Sequence, residues 1–160
     1  MAFTTADLLE SLRFSRTYFL KHLRGLREEQ WDWKPYPECK SIRETLIHLM
    51  QDDLVSQQFG DACEPDYSSV GEVATQVQGK DIDGILSALD AGHQALLDLL
   101  RSRYTDTPLD AEIVLWGAPL KLGQALAYLS AEDYYHAGQV AFVRMAMDPS
   151  WDYYAAVYGS

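Results

Sequence analysis

Four segments of this chain repeat apolar residues at the spacing of an α-helix, and that constraint leaves little besides a helical bundle. The longest runs from about Leu122 to Met147, with Pro149 stopping its continuation. Its inner stripe reads Ala125, Leu129, Glu132, His136, Val140, Val143 and Met147. The first opens at Thr4 with Asp7 three residues later, a start resembling the capping box, and carries Leu8, Leu12, Phe19, Leu23 and Leu26 along one face. The second begins at Ser41, whose amide Glu44 can reach, and runs to about Phe59, where Gly60 ends it. The third is capped by Asp81 and shows Ile82, Ile85, Leu86, Leu89, Leu96, Leu97 and Leu100. Helices of ~20 residues are ~30 Å long, the dimension of a small bundle. The expectation is an all-α, four-helix bundle with long connections, folded as a single domain over residues 1–160.

The connections read differently from one another. Trp31 to Lys40 is a loop containing Pro35 and Pro37, and residues 61–79 form a link with little regular structure. Glu112 to Trp116 fits a short extended piece turning at Gly117. The tail, Trp151 to Tyr158, is too aromatic for a solvated end and is expected to dock on the body or on a second subunit.

Charge narrows the partners. Across 160 residues, 13 Lys and Arg face 24 Asp and Glu, a net charge of −11. Such a chain repels phosphate backbones, so no nucleic-acid partner is expected. No run approaches the ~18 consecutive apolar residues of a membrane span, and the first residues lack a secretory pattern. Cys39 and Cys63 are not spaced as a C-x-x-C pair and read as reduced thiols of a cytoplasmic protein, a single bridge between them being the alternative; with no apolar span, no membrane partner is expected.

The chemistry concentrates in four histidines, since no phosphate-binding loop, dinucleotide fingerprint, H-E-x-x-H or nucleophile elbow is present. Glu132 and His136 stand four residues apart, on one face of the last helix. An ionised carboxylate on a buried stripe needs a cation or hydrogen bonds to compensate. Either Glu132 simply pairs with a protonated His136, or both ligate a metal such as Zn, Ni, Fe or Mn. His48, two turns into the second helix, completes a two-His, one-carboxylate set if the second and last helices adjoin. Three protein ligands leave coordination positions open, as catalytic sites require. Asp52, one turn beyond His48, is a fourth ligand, an acceptor for an imidazole N–H, or a solvated acid. His93, on an apolar stripe, reads as a hydrogen-bonded core histidine, and His22 as structural. Trp31, Trp33 and Trp116 are either packing residues or the lining of a site entrance.

Two stretches resemble the DinB/YfiT-like family. One runs from Gly25 through Glu28-Glu29-Gln30-Trp31-Asp32-Trp33-Lys34-Pro35 to Lys40-Ser41-Ile42-Arg43-Glu44-Thr45-Leu46-Ile47-His48-Leu49; the other is Glu132-Asp133-Tyr134-Tyr135-His136-Ala137-Gly138-Gln139-Val140. The resemblance implies a four-helix bundle, usually dimeric, with a metal held by one histidine of the second helix and two of the last. His48 matches the first of these and His136 the last, while Glu132 stands where the family's middle histidine is usual. It further implies a metal-dependent hydrolase or thiol S-transferase acting on a small-molecule substrate. Asp52 or Tyr135 would orient a group or shuttle a proton there. The competing reading is a non-catalytic dimeric module in which Glu132 and His136 form a buried ion pair.

Overall fold

The protein is described by a computed structural model that covers residues 3–60 and 64–159; Cys63, one of the two thiols of the sequence, lies outside these residues. Four long helices build the body: α1 (Thr5–Lys21), α2 (Ile42–Ser56), α4 (Ile82–Tyr104) and α5 (Leu122–Met147). Their starts are set by local chemistry. The side chains of Thr4 and Ser41 accept from the amides of Asp7 and Glu44, whose carboxylates bond back to the cap amides. Asp81 accepts from the Gly84 amide in the same manner at the start of α4.

Around the bundle the order is α1, α5, α2, α4, with each helix packed on its two neighbours. The second and last long helices therefore adjoin, as the candidate site required. Consecutive helices α1 and α2 sit across the bundle from one another, an arrangement the long connections allow. Between α4 and α5 a two-stranded antiparallel hairpin, β1 (Glu112–Leu115) and β2 (Ala118–Lys121), turns at Trp116 and Gly117.

Two expectations change. Helix α2 stops at Ser56, and a turn carries the chain through Phe59 to Gly60, whose φ of 81° is a left-handed conformation suited to glycine. There the Gly60 amide bonds to the Val114 carbonyl at 2.8 Å, stitching the end of α2 to the hairpin. The link after it is not irregular throughout: Val70–Gln76 forms a short helix, α3, which closes on α2 and buries Val73. The tail is a helix, α6 (Tyr153–Tyr158), that docks on its own body, burying Val157 and bonding the hydroxyls of Tyr153 and Tyr158 to that of Tyr18. Trp31 is a core residue, fully buried beneath the Arg43 guanidinium.

The interior divides into two apolar clusters. One holds Phe19, Trp31, Leu46, Leu49, Leu89 and Val140; the other holds Leu9, Leu12, Phe59, Leu96, Leu97 and Leu126. Between them lies a polar layer to which every long helix contributes. Arg16 of α1 grips Asp53 of α2 with two bonds, at 2.8 and 3.1 Å, and Asp133 of α5 with a third, at 2.7 Å. Ser15 donates to the other oxygen of Asp133, and His93 of α4 approaches Asp53 at 3.4 Å. His93 is thus the hydrogen-bonded core histidine expected of it. Burial alone would raise the Asp53 carboxyl, but the charge of Arg16 and the bonds from His93 and Arg16 outweigh it and hold it below the usual carboxylate range.

Removing the cation from this layer strands two buried acids. Arg16→Ala should therefore cost on the order of 3–5 kcal/mol in urea denaturation, whereas apolar residues of similar volume at 16, 53 and 133 together should cost far less. Because the Asp53 carboxyl is depressed, its stabilisation is complete above the unfolded-chain value of about 3.9 and fades as pH falls further toward the folded value. Denaturation midpoints should thus drop below about pH 4, and by less in Asp53→Asn than in the unaltered chain.

Candidate metal centre

Above the polar layer, α2 and α5 face each other across a second group of titratable side chains. A helix that turns about 100° per residue presents adjacent residues in different directions. Asp53 therefore points to Arg16, while Asp52 points with His48, one turn earlier, toward α5. On α5 the inward face brings His136 against them. The rings of His48 and His136 lie 5.0 Å apart, edge to face at 82°. The Asp52 carboxylate comes within 3.3 Å of His48 Nε2. One ligand atom from each of His48, Asp52 and His136 falls within 4.8 Å of the others, a spacing that a single cation can bridge.

The carboxylate in this compact set is Asp52, where the helical spacing of α5 pointed to Glu132. Glu132 stays at the edge, its oxygen 3.7 Å from His136 Nε2. That separation is too long for a hydrogen bond, and burial lowers the His136 pKa, which weakens any ion pair with Glu132.

The decisive detail is the second nitrogen of His136. Its Nδ1 lies 2.7 Å from Oε1 of Gln139, an oxygen that only accepts, so the ring proton resides on Nδ1. This leaves the lone pair on Nε2, which is buried and has no hydrogen-bond partner. A buried polar atom without a partner is costly, and a metal ligand held by a hydrogen bond at its other nitrogen is the arrangement that explains one. Trp31 Nε1, His93 Nε2 and Arg144 Nε are also unpartnered, but none of these residues lines a cavity beside the cluster. Two nitrogens and a carboxylate suit Zn, Ni, Fe or Mn.

Two cavities border His48. One, of about 550 Å³, is bordered by Tyr36, Cys39, Lys40, Tyr135 and Phe142 besides the two imidazoles. The other, of about 360 Å³, is bordered by Gln51, Asp52, Tyr67, Trp116 and Glu132. Tyr135 is exposed at the rim of the first, with its ring 5.1 Å from that of His136. Of the three tryptophans weighed as an entrance, only Trp116 borders either cavity. Its Nε1 donates to Ser56 at 3.2 Å. Cys39 is a free thiol in the wall of the larger cavity. His22 sits away from the cluster, its Nδ1 on the Tyr18 carbonyl.

The electrostatics suit the binding of a cation. Burial, then the charge of Lys40, lowers the pKa of His48 against the pull of Glu132, and burial lowers that of His136. Burial pushes the Asp52 carboxyl up to about 7, with the neighbouring acids Glu132 and Asp53 adding to it and His136 and Arg16 opposing. Imidazoles whose burial disfavours the protonated form, and a carboxyl that readily exchanges its proton, are groups that a cation can engage by displacing protons.

Among known proteins, the family model described as the DinB superfamily matches residues 11–140, which include all of the cluster. No curated protein and no solved structure matches the chain.

A carboxyl raised on folding contributes stability that is complete below its unfolded value and lost as pH rises through the folded one. In metal-free protein, Asp52→Asn should thus leave stability unchanged near pH 4 and raise it relative to the unaltered chain from there to about pH 7, with a constant difference above. Chemical denaturation in the presence of chelator at several pH values measures this.

Proposed function

Because the chain belongs to the DinB superfamily, we propose that it is a metal-dependent enzyme acting on a small molecule, with His48, Asp52 and His136 as the residues that hold a divalent transition metal. The single observation that carries this reading is the lone pair of His136 Nε2, buried, unpartnered and fixed in tautomer by Gln139. Glu132, at the edge of the set, would balance the charge of a bound ion and is placed to serve as a further ligand. A bound divalent ion would lower the pKa of a water or thiol that it holds, supplying a nucleophile near neutral pH.

The residues of the chain do the rest. Gln139 orients the His136 ring. Asp52 would release its proton to hold a bound cation, and Tyr135 presents a hydroxyl at the mouth of the larger cavity, placed to orient a group or pass a proton. That cavity holds a molecule of modest size, and its wall mixes aromatic rings with Lys40, Glu38 and Gln139, which suits a partly apolar substrate with polar ends. Hydrolysis or thiol transfer is the reaction class we assign. The cytoplasm is the compartment, where Cys39 stays reduced. No helix among the described residues is long and apolar enough to cross a membrane.

Calorimetric titration of chelator-treated protein with zinc, nickel, manganese or ferrous ion tests the reading. One ion should bind per chain. His48→Ala or His136→Ala should abolish binding, and Gln139→Ala should weaken it about 10- to 100-fold by releasing the ring. Asp52→Asn should weaken it more than Glu132→Gln. Protein that binds none of these ions, or binds them equally well without His136, overturns the proposal.

A further inference from the structure

The smaller cavity, of about 360 Å³, is assembled from segments distant in the chain. Gln51 and Val55 come from α2, Tyr67 and Val70 from the link and the start of α3, Trp116 from the hairpin turn and Glu132 from α5. The candidate metal centre accounts for His48 and Asp52 at its border and gives the other six no role. Each segment is tied in place. The Gln51 side chain donates to the Val70 carbonyl at 3.1 Å, fastening α3 to α2, and the bond from the Gly60 amide to Val114 holds the hairpin.

Trp116 stands where its own backbone disfavours it. Both central positions of the hairpin turn have positive φ, 49° at Trp116 and 79° at Gly117. Asparagine and glycine suit such a turn, whereas a bulky side chain there is a steric outlier. Two contacts hold the indole all the same: its Nε1 on Ser56 Oγ at 3.2 Å and the Tyr128 ring at 5.5 Å, edge to face. Strain that the surroundings enforce recurs at ligand clamps, and here it places an aromatic ring at the border of a cavity.

The polar lining is one-sided. No Lys or Arg borders this cavity. The Trp116 N–H is spent on Ser56, and the Gln51 amide donates to Val70. Two acceptors are left over: Gln51 Oε1 and the Glu132 carboxylate make no hydrogen bond among the described residues. The Glu132 side chain is only 25% exposed, and its ionic contact is the long one to His136. A carboxylate so placed is costly without a cation or donor to compensate. An anion would meet two acids here and no basic side chain, and a neutral ring would leave Glu132 as it is. A positively charged nitrogen bearing N–H groups satisfies both the acceptors and the aromatic rings.

We propose that the smaller cavity is a subsite for a protonated amine, whose N–H groups donate to Glu132 and Gln51 while its carbon substituents pack on Trp116, Tyr67, Val55 and Val70. The inference rests on the metal-enzyme reading for the reaction and names its substrate class. That class is an amine-bearing small molecule, its cationic nitrogen in the smaller cavity and the rest reaching past His48, which borders both cavities. A divalent ion does not exclude it. Asp52 and Glu132 together match the charge of such an ion, so the amine meets a site without net charge and keeps the acceptors and the rings.

NMR titration of chelator-treated full-length protein at neutral pH tests this, with benzylamine as the cationic probe and benzyl alcohol as a probe of similar shape without charge. The indole N–H signal missing in Trp116→Asn is that of Trp116, and it should shift as benzylamine is added. Asparagine suits the left-handed turn, so that variant keeps the hairpin and loses the ring. Saturation transfer on the probe signals reads affinity in every variant, and circular dichroism reports the fold. Benzylamine should bind about tenfold more tightly than benzyl alcohol, and Glu132→Gln should remove that preference while leaving the alcohol unchanged. Trp116→Asn and Tyr67→Leu should each weaken benzylamine about two- to fivefold. Equal binding of the two probes, binding indifferent to Glu132→Gln, or a stationary Trp116 signal overturns the proposal. Loss of benzylamine when zinc is added does so too, because ion and amine then compete for one place. Zinc calorimetry on the same protein reads the metal site by itself: amine binding without zinc binding defeats only the metal reading, and zinc binding without amine binding defeats only this one.

Discussion

The guanidinium of Arg16 is the point on which the four long helices agree. It is buried, it holds an acid from α2 and an acid from α5, and α4 joins through His93. Apolar side chains above and below could slide by a turn and still bury comparable area, since leucine and valine stripes are tolerant of register. A charged layer cannot slide, because a shift of one turn leaves an ion unpaired in a medium of low dielectric. The layer therefore sets the height of each helix relative to the others, at the boundary between the two apolar clusters.

That registration carries directly to the candidate site. Asp52 precedes Asp53, and Glu132 precedes Asp133, so each acid near the metal cluster is the sequence neighbour of an acid held by Arg16. Fixing Asp53 and Asp133 inward fixes the direction of their neighbours, and with them His48 and His136, one turn away on the same two helices. The division of labour is electrostatic as well. Asp53 has a permanent cation and stays ionised, whereas Asp52 has none and is pushed up to about 7. Two adjacent carboxyls thus differ in character because one is gripped by a guanidinium and the other is buried beside two imidazoles and Glu132.

Helix α5 turns one face to the core, one to the candidate metal site and one outward. This explains why it shows so little amphipathic contrast along its length. A helix that is apolar on most sides is one with neighbours on most sides, and the described chain supplies neighbours for only part of its circumference.

Local signals written in the sequence determined the bundle: Thr4, Ser41 and Asp81 cap helices because their side chains reach amides two or three residues away, and Pro149 ends α5 because it cannot continue it. They also determined that Glu132 and His136 share a face, since that follows from helical pitch. What composition concealed was α3, a helix of seven residues that its own Gly and polar side chains do not favour and that Val73 anchors by packing on its neighbours. The polar layer was legible only in fragments. Arg16, Asp53, His93 and Asp133 each interrupt an apolar stripe, but nothing in the linear order says that four interruptions meet. The choice of Asp52 over Glu132 in the compact set belongs wholly to the tertiary structure. Spacing along one helix says which residues share a face, whereas the rotation and height of two helices packed together decide which atoms converge within the reach of one ion.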